Sequence, residues 1–231
     1  MAGTACAACG RGVCRCAIPR LNGVTQRKKS RRWLDEHFSD TFVKRAQKEG
    51  ARSRAIYKLE EIDTRNRLLK PGMTVVDLGA APGGWSEYAA RRVGESGKVI
   101  ALDILPMNSI ADVTVLQGDF RDDETLTLLL ETLGNRPVDL VLSDMAPNLS
   151  GVKVTDQARA MHLIELALAL ARQVLRPGGD LLVKLFQGEG SEQFLRDLRK
   201  NFAKVLIRKP QASRSRSAEV YVLARNYIIK K

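Results

Sequence analysis

Lys184 interrupts an otherwise apolar run, Leu181-Leu182-Val183-Lys184-Leu185-Phe186, that reads as a buried strand. A buried amine needs a partner, and a lysine held out of water is the kind that can accept a proton or steer a hydroxyl. Asp144 closes a second apolar run, over residues 138–144. Open α/β sheets gather ligands at the carboxyl ends of their strands. Adjacent strand ends would therefore bring Asp144 and Lys184 together. Glu219, at the start of the last expected strand, and Lys58, on an N-terminal helix, complete a set of two cations and two anions. Alone, either reads as a surface charge, and a strand lysine can also snorkel to solvent.

A place for a ligand lies upstream. Residues 73–86 run Met-Thr-Val-Val-Asp77-Leu-Gly79-Ala-Ala-Pro82-Gly83-Gly84-Trp85-Ser86. They read as a buried strand, a glycine-rich turn and the start of a helix. Such turns let backbone approach a nucleotide-type ligand. The spacing Gly79-x-x-x-Gly83-Gly84 departs from the G-x-G-x-x-G of dinucleotide sites. Acids at Asp77 and at Asp103, which ends the next strand, fit S-adenosylmethionine better, with Asp103 placed to accept ribose hydroxyls. Asp77 also reads as a carboxylate that braces the loop, and Trp85 as a core aromatic.

The elements that must position these groups alternate. Strands are expected over 74–78, 98–103, 113–117, 138–144 and 180–186, with two more near 205–208 and 219–224. Helices are expected over 53–62, 85–93, 122–133, 155–175 and 191–201, and an irregular apolar spacing through Trp33, Phe38, Phe42 and Val43 suits another. Pro177-Gly178-Gly179 reads as the turn before the fifth strand. Alternation of this kind predicts an α/β fold with a mostly parallel sheet covered by helices on both faces. His162 falls within a long apolar helix and reads as structural, and His37 belongs to the N-terminal segment.

Length and composition suit one globular domain: 231 residues, 44% hydrophobic and 28% charged, with no apolar run of membrane-spanning length. The net charge of +12 is unevenly placed. Residues 1–34 hold eight Lys/Arg and no acid, and residues 201–231 hold eight Lys/Arg and only Glu219 as an acid. Residues 59–200 hold 16 basic and 21 acidic residues. Basic ends around an acidic centre suit a polyanion partner. The four cysteines, Cys6, Cys9, Cys14 and Cys16, all fall in the leader. Cys6-x-x-Cys9 has zinc-like spacing, but the Ala/Gly/Cys-rich segment has little to pack behind a metal, so no metal site is expected. Residues 1–29 read as an unstructured leader or an extension from too early a start, and are compatible with a transit peptide. Residues 30–231 read as the domain. The absence of body cysteines suits a reducing compartment.

Together these residues resemble the FtsJ/RrmJ-type ribosomal RNA 2′-O-ribose methyltransferases, over about residues 30–224. The resemblance rests on Arg32-Trp33-Leu34, His37-Phe38-Ser39-Asp40, Arg52-Ser53-Arg54-Ala55, Tyr57-Lys58-Leu59, the run from Val75 to Trp85, Gln117-Gly118-Asp119-Phe120, Ser143-Asp144-Met145-Ala146-Pro147-Asn148, Val183-Lys184-Leu185-Phe186-Gln187-Gly188, and residues 213–219 ending in Glu219. It is closest to bacterial members acting on large-subunit rRNA. The resemblance implies a Rossmann-like class I sheet of seven strands with the last inserted antiparallel, and a catalytic tetrad of Lys58, Asp144, Lys184 and Glu219. It implies S-adenosylmethionine held by Gly83, Trp85, Asp103, Asp119 and Asp144, with Asp119 at the adenine amino group. It further implies methyl transfer to a uridine 2′-hydroxyl in large-subunit rRNA, in the subunit or its precursor, by a cytoplasmic monomer supporting late subunit assembly. Lys184 is the expected proton acceptor or steering group. RNA is expected along Arg31, Arg32, Lys44, Arg52 and Arg54 and along Arg208, Lys209, Arg214 and Arg216.

Other readings differ in what they need. A methyltransferase of tRNA or mitochondrial rRNA would share the tetrad. A non-catalytic assembly factor would need no buried Lys-Asp pair, and an NAD-dependent oxidoreductase would need a different loop. Deleting residues 1–25 is expected to spare stability and methyl transfer, because the leader has no core to join. Zinc bound to the purified protein and lost together with activity on deletion would contradict this.

Overall fold

The computed structural model describes residues 40–214 and 217–229. The leader and its cysteines, Trp33, His37 and Phe38 lie outside the described residues, as do Arg31, Arg32 and Arg216. Two helices, α1 (Thr41–Glu49) and α2 (Ile56–Asn66), precede the sheet. Then follow β1 (Thr74–Leu78), α3 (Gly84–Val93), β2 (Lys98–Asp103), β3 (Val113–Gln117), α4 (Asp123–Leu133), β4 (Val138–Ser143), α5 (Lys153–Val174), β5 (Leu175–Phe186), α6 (Ser191–Asn201), β6 (Phe202–Arg208) and β7 (Glu219–Tyr227). Among the described residues the sheet has seven strands in the order β3-β2-β1-β4-β5-β7-β6. β1 to β5 pair in parallel, and β7 runs antiparallel to both β5 and β6. This is the Rossmann-like methyltransferase architecture that the sequence leads one to expect.

Strand periodicity sorts the core into two layers. Val76, Leu78, Ile100, Leu102, Val141, Leu181, Val183 and Leu185 face α4, α5 and α6. Val75, Val99, Leu140, Leu142, Leu182, Tyr221 and Leu223 share the opposite layer with Leu59 and Ile62 of α2 and Trp85, Ala89 and Val93 of α3. β1 is buried on both faces, as a central parallel strand must be. Asp77 and Lys184, being in step with Val75 and Leu182, fall in the α2/α3 layer. That layer holds the site.

Three expectations need correction. β5 begins at Leu175, which pairs with Val138, so Pro177-Gly178-Gly179 is not a turn ahead of the strand. The segment bulges, and regular pairing resumes at Asp180 opposite Leu140. The last two strands are longer than their apolar cores suggested, because edge pairing carries β6 back to Phe202 and β7 on to Tyr227. His162 is exposed on α5 rather than satisfied inside it.

Asp63 fixes α2 against α3. It is buried and accepts the Leu69 amide at 2.8 Å, the Tyr88 hydroxyl at 2.9 Å and Arg92 Nε at 3.0 Å. Asp63→Ala leaves all three donors without an acceptor. We expect a loss of about 2–4 kcal/mol in denaturant unfolding. A change below about 0.5 kcal/mol would show that α2 is held elsewhere.

Candidate active site

β5–β7 pairing assembles the charged cluster. Lys184 lies opposite Tyr221 and Phe186 opposite Glu219. Directly opposed residues share a face, so Lys184 and Tyr221 project into the same layer. Lys184 Nζ lies 3.0 Å from Asp144 Oδ1 and donates to the Asp144 carbonyl oxygen at 2.5 Å. Lys58 Nζ lies 2.7 Å from Glu219 Oε1. The Tyr221 hydroxyl joins the two pairs: it accepts from Lys58 at 2.9 Å and donates to Asp144 Oδ1 at 2.6 Å. The four tetrad side chains therefore form one network around a fully buried tyrosine, and both lysines are buried.

Tyr221 is the member that sequence reasoning missed. Within Glu219-Val220-Tyr221-Val222 it looks like any strand aromatic. The available signal was its two-residue step from Glu219, which puts both on one face of β7. Burial, with Asp144 and Glu219 nearby, raises the phenol well above its ordinary value, so it stays a neutral donor and acceptor. Burial pushes the Glu219 carboxyl up, but the attraction and hydrogen bond of Lys58, the Lys184 charge and the Ser213 hydroxyl outweigh it and hold the group down. Ser213 Oγ reaches Glu219 Oε1 at 2.9 Å, and Lys209 Nζ donates to the Ser217 and Glu219 carbonyls at 2.5 Å each. Those bonds tie Lys209, just past the end of β6, and Ser213 to the start of β7 that carries Glu219.

The glycine-rich turn leaves β1 next to this network. Gly79 has φ +71°, and a Cβ there would stand 2.4 Å from Met145 Cγ, one residue past Asp144. Gly83 has φ +102°, and its Cβ would stand 2.4 Å from Ile110 Cδ1. A side chain at either position would close the space between the turn and its neighbours. Ser53, Ala55, Asp77, Pro82, Trp85 and Asp144 line the resulting cleft. The Trp85 ring is buried, donates to the Ala55 carbonyl at 2.7 Å and packs on Tyr221 with ring centroids 5.6 Å apart. Its side chain serves packing, while its backbone sits in the first turn of α3. Asp103 accepts the Ala81 amide at 2.8 Å through Oδ2 and the Leu105 amide at 2.8 Å through Oδ1. Each oxygen keeps acceptor capacity for a hydroxyl. Asp119 follows β3, beside the end of β2, and is gripped by Arg121, whose Nε lies 2.9 Å from both carboxylate oxygens. Any ligand meeting Asp119 shares it with that guanidinium.

Asp77 is unusual. It is buried, Ser86 donates to Oδ2 at 2.6 Å, and Oδ1 has no hydrogen-bond partner among the described residues. Burial, with the charges of Asp144 and Asp103 adding, pushes its carboxyl up to about 7, against the bond from Ser86. An anionic pocket with an orphan acceptor suits a cationic ligand.

Arg52 donates to the Asn108 carbonyl at 3.3 Å and the Ser109 carbonyl at 2.8 Å, and Arg208 donates to Asn66 Oδ1 at 2.9 Å. Both use donors to tie loops, as Lys209 does. Lys44 is exposed on α1, and Arg54 and Arg214 are half-buried.

The profile of the FtsJ-like methyltransferase family matches residues 51–227. The chain is 62% identical over 202 residues to a ribosomal RNA large subunit methyltransferase E of Alkalilimnicola ehrlichii, covering 87% of this chain and 97% of that protein. It is 59% identical over 204 residues to the protein of the same name from Pseudomonas aeruginosa, covering 88% and 99%. A solved structure described as a ribosomal RNA methyltransferase from Plasmodium falciparum superposes with a TM-score of 0.71 at 28% identity, covering 78% of this chain and all of that one. With its sheet order, its glycine-rich turn and its buried Lys-Asp network, the chain belongs to the FtsJ-like methyltransferase family.

Proposed function

We propose that this protein transfers a methyl group from S-adenosylmethionine to the 2′-hydroxyl of a uridine ribose in large-subunit rRNA. The buried Lys184–Asp144 pair at the carboxyl edge of β4 and β5 carries this reading. The names of the relatives support the substrate class.

The residues present fit the cofactor. A sulfonium and an ammonium are positive, and Asp77 and Asp144 line the cleft beside the turn, with the charge of Asp103 acting on Asp77 and with Asp77 Oδ1 unpartnered among the described residues. Gly79 and Gly83 keep the cradle clear of side chains. Asp103 would take the ribose hydroxyls, Asp119 the adenine amino group, and Gly83, Trp85 and Asp144 the methionine end. When bound, the cofactor supplies a methyl already activated on sulfur.

The protein's own task is then alignment and proton removal. Two donor directions of Lys184 Nζ are taken by Asp144, one by its carbonyl and one by Oδ1. The remaining tetrahedral direction is the one available to an RNA hydroxyl. As a neutral amine Lys184 would accept the hydroxyl proton while the C–S bond gives way to the new C–O bond. As an ammonium it would hold the hydroxyl oxygen by donating to one lone pair, and the hydroxyl proton would pass to solvent. Asp144 holds Lys184 in place. Tyr221 donates to Asp144, and the Lys58–Glu219 pair holds the Tyr221 hydroxyl from its other side.

Lys184→Ala should lower single-turnover transfer by about 10²–10⁴-fold at saturating cofactor, and should cost some stability by leaving Asp144 unpaired. Lys184→Arg should fail too, since guanidinium keeps its proton. Near-normal rates for both variants would return Lys184 to a structural role. If ribose mapping shows methyl on tRNA and none on large-subunit rRNA, the substrate assignment is wrong.

Two binding measurements test the cofactor end. Asp103→Ala should weaken S-adenosylmethionine binding by about 1.5–3 kcal/mol with RNA affinity unchanged, and unchanged cofactor affinity would overturn the ribose assignment. For Asp77, the native carboxyl sits near 7 against an ordinary 3.8. Between those values the folded state holds a proton that the unfolded state has lost, so this group's contribution to stability falls as pH rises from 3.8 toward 7. A bound cation should expel that proton. Calorimetry near pH 6.5 in buffers of different ionisation enthalpy should show proton release on cofactor binding. Asp77→Asn should abolish the release and raise the melting temperature of the cofactor-free protein at pH 8. Equal release from both proteins would contradict the assignment.

A further inference from the structure

Between β4 and α5 the chain leaves the site through Met145-Ala146-Pro147-Asn148-Leu149-Ser150-Gly151-Val152, and residues 148–155 are all exposed. Three large aliphatic side chains in this run face solvent: Leu149 is 75% exposed, Val152 58% and Val154 73%. One exposed aliphatic residue needs no explanation. Three within six residues, on a segment whose backbone is tied down, do.

The tie is Asp156, in the first turn of α5. Its Oδ1 accepts the Ser150 amide and the Ser150 hydroxyl, each at 2.7 Å, and its Oδ2 accepts the Gly151 amide at 3.0 Å. The Val152 amide reaches Ser150 Oγ at 3.3 Å, and Gly151 makes the turn with φ +86°. The bonds from Ser150 and Gly151, with Arg159 adding, hold the Asp156 carboxyl below its ordinary range. The carboxylate therefore stays charged at neutral pH and keeps the loop shaped. Ordering a loop costs conformational entropy. Here the ordered loop presents apolar side chains outward instead of burying them.

Its position names the occupant. Leu149 is five residues past Asp144, so it lies within roughly 17 Å of the site, a distance of only a few nucleotides. A ribose that reaches a buried lysine must leave its stacked neighbours, which uncovers the face of a base. Lys153 and Arg159, both exposed on the first two turns of α5, add positive charge beside the apolar side chains, as a phosphate backbone requires. We propose that Leu149, Val152 and Val154 form an apolar ledge on which an unstacked base of the substrate RNA rests, beside the nucleotide that is methylated. This ledge rests on the RNA 2′-O-methyl transfer argued above. It makes the loop a determinant of which RNA segment presents its ribose to Lys184.

The test uses large subunits from cells lacking this protein, with saturating S-adenosylmethionine. Single-turnover transfer is measured against subunit concentration for the wild type and for Leu149→Ser combined with Val154→Ser. The half-saturating concentration should rise about tenfold, the order of a lost base contact, with a much smaller change in maximal rate. Cofactor affinity and melting temperature should hold, and Leu149→Met alone should stay near wild type. A benzophenone amino acid in place of Leu149 should crosslink to rRNA on irradiation. A half-saturating concentration within twofold of wild type, or adducts with ribosomal protein alone, would overturn the ledge while wild-type transfer keeps the proposed function. A wild type that moves no methyl to rRNA would remove both.

Discussion

The site depends on one hydroxyl. A phenol has a single hydrogen to give and lone pairs to receive with. Tyr221 gives its hydrogen to Asp144 and receives from Lys58. Two buried lysines and two half-buried carboxylates thus gather around a neutral group, each within hydrogen-bonding distance of another member. Leaving any one of them unpaired would cost several kcal/mol, so the arrangement is all or nothing. It also explains the fold's least regular feature. Only an antiparallel β7 between β5 and β6 sets Tyr221 opposite Lys184 and Glu219 opposite Phe186.

From this follows a division of labour along the carboxyl edge of the sheet. β1 leads through Asp77 into the glycine-rich turn, β2 ends at Asp103 and Asp119 follows β3, the groups proposed to hold the cofactor. β4, β5 and β7 end in the charge network. Asp144 belongs to both halves: it lines the cleft beside Gly79 and it holds Lys184. In the proposed transfer the acceptor hydroxyl and the activated methyl would meet at that shared residue, which is where alignment matters most.

Much of this was legible in the sequence. Apolar runs gave β1 to β4 nearly to the residue, helped for β1, β2 and β4 by the burial that leaves central parallel strands little compositional freedom. Lys184 stood out because a charge inside such a run is costly. Tyr221 did not, since beyond its two-residue step from Glu219 its role depends on which residue lies opposite, and that pairing crosses a strand inserted out of chain order. Pro177-Gly178-Gly179 misled for a related reason: turn residues can also make a bulge when Leu175 already pairs with Val138. Charge marked a set of basic residues without showing that Arg52, Arg208 and Lys209 also give hydrogen bonds within the fold, which depend on tertiary neighbours. The Leu149 ledge was invisible for the opposite reason, since exposed aliphatic residues in a loop look like nothing until the Asp156 bonds show the loop is fixed.

The central claim is that the two ion pairs act as one unit through the Tyr221 hydroxyl. A double-mutant cycle on single-turnover transfer, with Tyr221→Phe and Lys58→Met, measures this directly. If the hydroxyl is the link, removing it makes the Lys58 change nearly silent, and the double variant should transfer about as slowly as the slower single variant, with a coupling of about 1–3 kcal/mol. Losses that multiply, so that the two changes act independently, would contradict the account.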